Sequence, residues 1–367
     1  MKILIFAFDA DPPVFGNSKM AWLLSKKLAS KGFQVHLLTN SQSRSSAWTF
    51  KKKDEVNIVA LPPSSKNPLK FIHHLQNVKR FLGSLKFDIL HCHGLFSTPF
   101  MAHLNKQLKT SLVCTVNGVW PVIKLFSNIR MGLPDTFKFK FCLSKAKAII
   151  CSNNFLAKIL AKSFSSANVS IVHYGLDEQW LKTTLPTENY DVLFFGDGTR
   201  ERGLCTFLES IPKILSKRKD VSFTIAIRHW DPNLRAITLR VANRHSVRLL
   251  KPPTTYNIIK IASHAKVICL PFEVNSMEPP LSLVESLALG KAVVSTDIGG
   301  NKELIGDDER GLLVRPGNAE DIASAILLLL SDESLRRSLG VKAREFIMHL
   351  YNWEINVKKI VSIYQGI

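Results

Sequence analysis

A repeated alternation of short apolar segments with amphipathic ones constrains the fold most, and it runs along most of the 367 residues. Several apolar runs have the length of buried strands, among them KILIFAF, FQVHLLT and FDILHCH. Helical patterns such as SKMAWLLSKKLASKG separate several of them, which predicts parallel sheets with right-handed crossovers. The alternation stops in YGLDEQWLKTTLPTENY and restarts with DVLFFG. We therefore expect an α/β protein with two doubly wound domains in series, joined by a linker.

A short apolar helix is predicted in EPPLSLVESLALG, which follows the strand pattern KVICLPF. Pro280 suits the first helical position, and Gly290 stands just past the end. The free amides at the start of this helix could hold an anion such as a diphosphate, because they lie at the carboxyl edge of a sheet.

Glu285 is a carboxylate on this otherwise apolar helix, and no Lys or Arg stands three or four residues from it. A partly buried carboxylate needs donors, which a ribose diol would provide. A salt bridge at the helix end or between domains is an equally good reading of the helix alone. Glu278, in the loop before the helix, could contact a second hydroxylated group.

The charge of the chain is unevenly distributed. The formal net charge is +20 in all, with +17 in residues 1–185 and +3 in residues 186–367. A basic half predicts an anionic partner such as a membrane surface, a nucleic acid or a phosphorylated acceptor, with solubility alone as the alternative. No nucleic-acid motif is present, so we predict no nucleic acid as partner.

One basic segment, VIKLFSNIRMGLPDTFKFKFCLSKAK (residues 122–147), mixes Lys and Arg with apolar residues including Phe137, Phe139 and Phe141. This composition suits a membrane interface, or else an ordinary helix pair with a solvated basic face. No apolar run is long enough to span a bilayer. Six cysteines lie scattered without a C-x-x-C pair, which favours reduced, buried thiols in a cytosolic protein.

Taken in order along the chain, several segments resemble glycosyltransferase family 4, whose members are retaining enzymes with the GT-B fold. These segments are MKILIFAF with Gly16, FDILHCHG, VCTVNG, IVHYGLD, LFFGDGTRERG, EPPLSLVES, LALGKAVVSTDIGGNKELI and RGLLVRPGNAEDIASAILLLLSDESLRRSLG. The resemblance implies two Rossmann-like domains facing across a cleft. Residues 1–182 would bind the acceptor and residues 189–351 the donor, with a final helix of about 352–367 packed back on the first domain.

The resemblance also implies roles for matching positions. The donor-binding positions are Gly16, Asn117, Arg200, Arg202, Glu278, Leu281, Ser282 and Glu285. Glu285 would hold the nucleotide ribose, and the amides around Leu281 and Ser282 would meet the diphosphate. The catalytic pair would be Arg202, which neutralises the leaving diphosphate, and Glu278, which contacts the donor sugar. We expect no metal and no cofactor, since fixed cations and the helix dipole would do the ion's work and the nucleotide sugar is a co-substrate.

His91 and His93 lie on one face of the predicted strand FDILHCH, as metal ligands could. No acidic or Cys partner stands at a fixed spacing, so we predict no metal there. His93, near the carboxyl end of the strand, is instead a candidate for the acceptor pocket.

Three positions depart from the family pattern. Six residues separate Glu278 from Glu285, so that Met277 occupies the usual carboxylate position; Asn117 replaces a His, and Gly16-Asn17 replaces a double glycine. Two alternatives stay open: a degenerate GT-B fold that binds a membrane or partner without catalysis, and a GT-B nucleotide-sugar epimerase. The favoured prediction is a retaining glycosyltransferase in the cytoplasm, peripheral on the inner face of the membrane, with a glycan or glycolipid acceptor that is lipid-linked or membrane-associated.

Overall fold

The computed structural model describes residues 1–8, 10–11, 13, 16–40, 49–61, 83, 85–94, 110–116, 143–164, 168–183, 188–245, 247–251, 255–274 and 279–367. These residues form two compact units, one of Met1–Gly175 with Trp353–Ile367 and one of Leu176–Asn352. Among the helices in this part of the chain, none is long and apolar enough to cross a bilayer.

The first unit is built on a sheet whose described strands run in the order β3-β4-β2-β1-β5-β6-β7-β8. The strands are β1 (Lys2–Phe6), β2 (Gln34–Asn40), β3 (Thr49–Lys53), β4 (Val56–Leu61), β5 (Ile89–His93), β6 (Ser111–Thr115), β7 (Ala148–Cys151) and β8 (Asn168–Ile171). Helices α1 (Gly16–Ser30) and α2 (Asn154–Ser163) belong to this unit. All neighbouring strands are parallel except β3 and β4. Strand β3 was not predicted, because every residue of its sequence TFKKK is exposed and no buried apolar face marks it.

The second unit has a fully parallel sheet in the order β11-β10-β9-β12-β13-β14. Its strands are β9 (Tyr190–Gly198), β10 (Phe223–Trp230), β11 (Arg248–Leu250), β12 (Ala265–Leu270), β13 (Ala292–Thr296) and β14 (Leu312–Val314). Its helices are α3 (Glu178–Lys182), α4 (Leu204–Lys217), α5 (Pro232–His245), α6 (Thr255–Ser263), α7 (Leu281–Ala288), α8 (Asn301–Ile305), α9 (Ala319–Ser331) and α10 (Glu333–Leu350). The predicted α/β architecture with two parallel-sheet units is confirmed.

The core of the second unit lies on both faces of its sheet. Val192 and Phe194 pack with helix α4, while Leu193 and Phe195 pack in a separate cluster that includes Leu287 of α7. Successive residues of a strand point to opposite faces, so a strand buried on both sides needs a continuous apolar run. This is why the strands of this unit read as unbroken apolar segments rather than alternating ones.

The final helix, α11 (Trp353–Gln365), is part of the first unit. A Cβ atom at Gly175 would lie only 2.1 Å from the ring of Trp353, so the indole packs directly on the glycine. Further along the helix, the Tyr364 hydroxyl lies 2.5 Å from Nδ1 of the buried His91. The end of the chain is therefore fixed to the first unit by a close aromatic contact and a buried polar contact.

Candidate functional site

The second unit brings most of the predicted donor-side residues to one edge of its sheet. Strands β9, β12 and β13 are parallel neighbours, so the segments that follow them leave the sheet at the same, carboxyl edge. Arg200 and Arg202 follow β9, and the helix α7, which starts with Leu281 and Ser282, follows β12. Ligands of doubly wound sheets bind at this edge.

A tight turn positions Arg202. The amide of Gly203 donates to the carbonyl of Arg200 at 2.8 Å, and Gly203 itself has φ +76°. A Cβ at Gly203 would lie 1.7 Å from the carbonyl oxygen of Pro271, which follows β12. Only glycine combines the left-handed backbone with this approach, so the turn is held directly against the neighbouring segment.

The Arg202 side chain is half-buried, and its guanidinium carbon lies 5.5 Å from the centroid of the Phe272 ring. Burial lowers the pKa of Arg202, while the nearby Asp197 and Glu201 carboxylates act in the opposite direction. Arginine remains a cation under all ordinary conditions. The site therefore contains a fixed positive charge supported by an aromatic face, whereas Arg200 is exposed.

Side-chain and backbone hydrogen bonds connect the three segments at this edge. The amide of Glu273 donates to the carbonyl of Glu201 at 3.1 Å, and the hydroxyl of Thr206 donates to the Glu273 carboxylate. From β13, the Thr296 hydroxyl donates to the carbonyl of Phe272 at 2.7 Å. Glu273 lies among these segments and is an additional candidate site residue that the sequence analysis did not include. The signal was available, because Glu273 is a carboxylate only three residues after a buried apolar strand.

Helix α7 points its amino end at the same edge. Pro280 is the N-cap residue, and its own side chain makes no capping hydrogen bond. The carbonyl of Pro280 accepts from the amides of Leu283 and Val284, at 2.9 and 3.2 Å. Leu281 and Ser282 form the half-buried first turn. The positive dipole end of a helix and its first free amides are a place where an anion is stabilised.

Glu285 lies one turn further along α7 and is 9% exposed. The neighbours Val284 and Ser286 are buried as well, so the carboxylate lies in a part of the helix that is largely closed to solvent. The other two key positions, Glu278 and Asn117, lie outside the described residues.

The remaining predicted residues belong to the first unit. Gly16 is exposed at the start of α1, and His93 ends β5 with 2% exposure. Burial lowers the pKa of His93 to about 3, so its ring is neutral at pH 7. His91 has a structural position, since its ring nitrogens contact Tyr364 and, at 2.7 Å, the Thr115 hydroxyl. Within the described ranges, no group of three or more His, Cys, Asp or Glu residues could hold a metal ion.

The basic segment proposed for a membrane interface lies largely in residues 117–142. These residues are outside the described part of the chain, as are Phe137, Phe139 and Phe141. The membrane-interface interpretation of this segment therefore stays a prediction.

Solved structures of other proteins share this fold. Sucrose-phosphate synthase from Thermosynechococcus elongatus superimposes with a TM-score of 0.80 at 17% identity, over 100% of this chain and 98% of that one. HepE from Anabaena, solved in complex with UDP-glucose, gives a TM-score of 0.79 at 12% identity over 100% of both chains. The fold is the GT-B fold of glycosyltransferases.

Sequence comparison then gives the family. Residues 16–180 match the family model described as "Glycosyltransferase Family 4", and residues 177–346 match "Glycosyl transferases group 1". A phosphatidyl-myo-inositol mannosyltransferase from Mycolicibacterium smegmatis is 28% identical over 298 residues, covering 80% of this chain and 74% of that protein. The chain belongs to glycosyltransferase family 4, as its motifs indicated.

Proposed function

We propose that this protein is a retaining glycosyltransferase that transfers a sugar from a nucleoside-diphosphate donor to an acceptor hydroxyl without a metal ion. The observation that carries the proposal is the shared position of the half-buried Arg202 and the amino end of α7 at one sheet edge. A fixed cation and a helix amino end together suit a diphosphate. Support also comes from HepE, which was solved with UDP-glucose.

In this proposal, the donor is bound mainly by the second unit. The amides of Leu281 and Ser282 hold the diphosphate, and the carboxylate of Glu285 accepts hydrogen bonds from the ribose hydroxyls. Glu278 and Asn117 contact the donor sugar, and Gly16 is a further donor-binding position. His93 lines the acceptor pocket.

Transfer breaks the bond between the anomeric carbon and a diphosphate oxygen, and the electron pair stays on that oxygen. The acceptor hydroxyl oxygen bonds to the anomeric carbon with the configuration retained, and its proton leaves with the nucleoside diphosphate. Negative charge grows on the diphosphate during this step. Arg202, assisted by Arg200, stabilises that charge because its guanidinium is already fixed in place before the reaction.

The acceptor is proposed to be a glycan or glycolipid presented at a membrane surface. The net charge of +17 in residues 1–185 would attract the anionic inner face of the cytoplasmic membrane. The Mycolicibacterium relative is named for an acceptor that contains a lipid. The proposed attachment is peripheral and mainly electrostatic.

Three measurements test the proposal. A thermal-shift screen of nucleotide sugars should find one that stabilises the protein, and that donor should then be consumed in the presence of a chelator. NMR of the product should show the anomeric configuration of the donor. Binding without turnover would instead indicate a degenerate module, recovery of an isomerised nucleotide sugar would indicate an epimerase, and activity restored only by a divalent ion would contradict the metal-free mechanism.

Vesicle co-sedimentation tests the membrane part separately. Binding to anionic vesicles should be strong at low salt and should weaken as the Debye length falls below about 8–10 Å. Neutral vesicles are the control. Equal binding to both, or binding to neither, would leave a soluble acceptor.

A further inference from the structure

A polar cavity of about 850 Å³ lies in the second unit, away from the proposed donor site. Its lining includes Lys266 near the start of β12, Lys291 just before β13, and Arg336 in the first turns of α10. Because β12 and β13 begin here, the cavity is at the amino edge of the sheet. Arg202 and the start of α7 are at the opposite, carboxyl edge.

Two of the lining cations are buried. Lys291 is 3% exposed and Arg336 is 7% exposed. Both contact the carboxylate of Glu188, with Nζ of Lys291 3.3 Å from one oxygen and Nη2 of Arg336 3.3 Å from the other. Charge-assisted hydrogen bonds are typically about 2.7–2.9 Å long, so both contacts are long. One carboxylate thus serves two buried cations.

The other cations at the cavity are paired one to one. Nζ of Lys266 lies 2.7 Å from a carboxylate oxygen of Asp191, and Nη2 of Arg337 lies 2.6 Å from Glu333. These pairs are more exposed and nearly neutral as units. The surplus positive charge therefore belongs to Lys291 and Arg336.

One N–H donor of the Arg336 guanidinium makes no hydrogen bond to the described residues. Its Nη1 donates to the carbonyl of Leu329 at 3.0 Å, and its Nη2 faces Glu188. Its Nε is buried and donates to no acceptor among the described residues. The Nε–Nη2 side of a guanidinium is one of the edges that hold two oxygens of an oxyanion. In Arg336, only half of that edge is in use.

A surplus charge in a buried position is unfavourable unless a counter-charge accompanies it. Burial lowers the pKa of Lys291, and the Arg336 charge lowers it further, while Glu188 acts in the opposite direction. A bound anion would relieve both the excess charge and the unused Nε donor. This is the physical reason to regard the cavity as a ligand site rather than as a closed ion-pair network.

We propose that this cavity binds a phosphate monoester, with Lys291 and Arg336 holding the phosphate group. A phosphate dianion offers enough oxygens to meet both the Arg336 edge and the Lys291 ammonium, and its charge exceeds that of a carboxylate. The cavity volume falls in the usual range for small-molecule sites, so the ester part of a small metabolite also fits. This would be a second site, distinct from the donor site.

Calorimetric titration with inorganic phosphate and with glycerol phosphate, at constant ionic strength set with chloride, tests the proposal. We expect Lys291→Met to weaken phosphate binding at least tenfold. Lys213→Met is the matched control, because Lys213 is a lysine of the same unit in a surface pair with Glu320. That control, and Arg202→Gln at the donor edge, should leave this binding within about twofold, which corresponds to less than 0.5 kcal/mol. Hydrogen exchange should slow in residues 329–341 on addition of phosphate.

A second variant, expected to change phosphate affinity in the opposite direction, keeps the proposal testable if Lys291→Met does not fold. Glu188→Gln removes the competing carboxylate, so it should tighten phosphate binding severalfold. This gain supports the proposal only if the unaltered protein also binds phosphate, because removal of Glu188 leaves both buried cations without a counter-charge in either case. No phosphate binding, phosphate binding lost only in Arg202→Gln, or unchanged binding in both Lys291→Met and Glu188→Gln would overturn the proposal.

Discussion

Gly203→Ala should damage both stability and donor binding, because two constraints meet at this residue. Its φ of +76° is one that residues with a Cβ rarely adopt. In addition, the new Cβ would lie 1.7 Å from the carbonyl oxygen of Pro271, a backbone atom that no rotamer change can move away. The preceding residue is Arg202, so relief of the overlap must displace the turn that carries the proposed catalytic cation.

A matched control separates the backbone cost from the steric cost in the loss of unfolding free energy. Gly317 lies in the same unit with φ +70°, and a Cβ there would meet nothing within 4 Å. Gly317→Ala should therefore lower the free energy of unfolding only through the left-handed backbone conformation, by about 1–2 kcal/mol. Gly203→Ala has the same backbone cost and in addition a steric cost typical of overpacking, about 1–3 kcal/mol. The difference between the two variants isolates the close approach to Pro271.

Calorimetric unfolding and nucleotide titration are the measurements. A unit of this size loses about 2–4 °C in Tm per kcal/mol, so Gly317→Ala should lower the transition of the second unit by a few degrees and Gly203→Ala by clearly more. Donor affinity should fall in Gly203→Ala alone. Equal losses of Tm in both variants, with donor binding intact, would refute the argument that the turn is locked against the segment after β12.

Three further predictions concern the charged and titratable residues of the two units. Arg202→Ala should lower kcat by about 10²–10³-fold, far more than it raises donor KM, as expected for a group that stabilises developing charge. Arg200→Ala, at an exposed position, should change either constant by less than about threefold. Equal effects of the two variants in steady-state kinetics would contradict these roles. Glu285→Ala should lose most of the nucleotide affinity and Glu285→Gln should keep part of it, and parental affinity in the Ala variant would exclude the ribose contact. Burial holds the pKa of both His91 and His93 below the ordinary 6.5, so unfolding takes up protons and the first unit should lose stability as the pH falls below 6.5. The loss should reach up to about 1.4 kcal/mol per pH unit for each histidine, and His93→Gln should flatten the dependence of Tm on pH.

The sequence by itself predicted the features that depend on local patterns. Unbroken apolar runs specify strands buried on both faces, and the helical patterns between them require parallel connections, so the two-sheet architecture follows from the order of these patterns along the chain. The same holds for helix α7, whose Pro280 and Gly290 mark its ends, and for Arg202, which stands in a recognisable motif after an apolar strand. Strand β3 was missed, since its residues are exposed and its pairing with β4 is decided by the neighbouring strand.

The tertiary structure decided the contacts between residues far apart in the chain. The carbonyl of Pro271 leaves no room for a Cβ at position 203, and the ring of Phe272 lies against the Arg202 guanidinium. The amide of Glu273 donates to the carbonyl of Glu201 and so connects two loops. None of these pairings has a sequence signature. The same is true of Lys291 and Arg336, which are more than forty positions apart in the chain and contact the same carboxylate. Periodicity records which face of an element is buried, whereas distances and partners are determined by how the elements pack. The physical reason is that hydrophobic burial is non-directional, so local patterning suffices to specify it. A close backbone contact, or a carboxylate shared by two cations, depends instead on how three or more elements pack together.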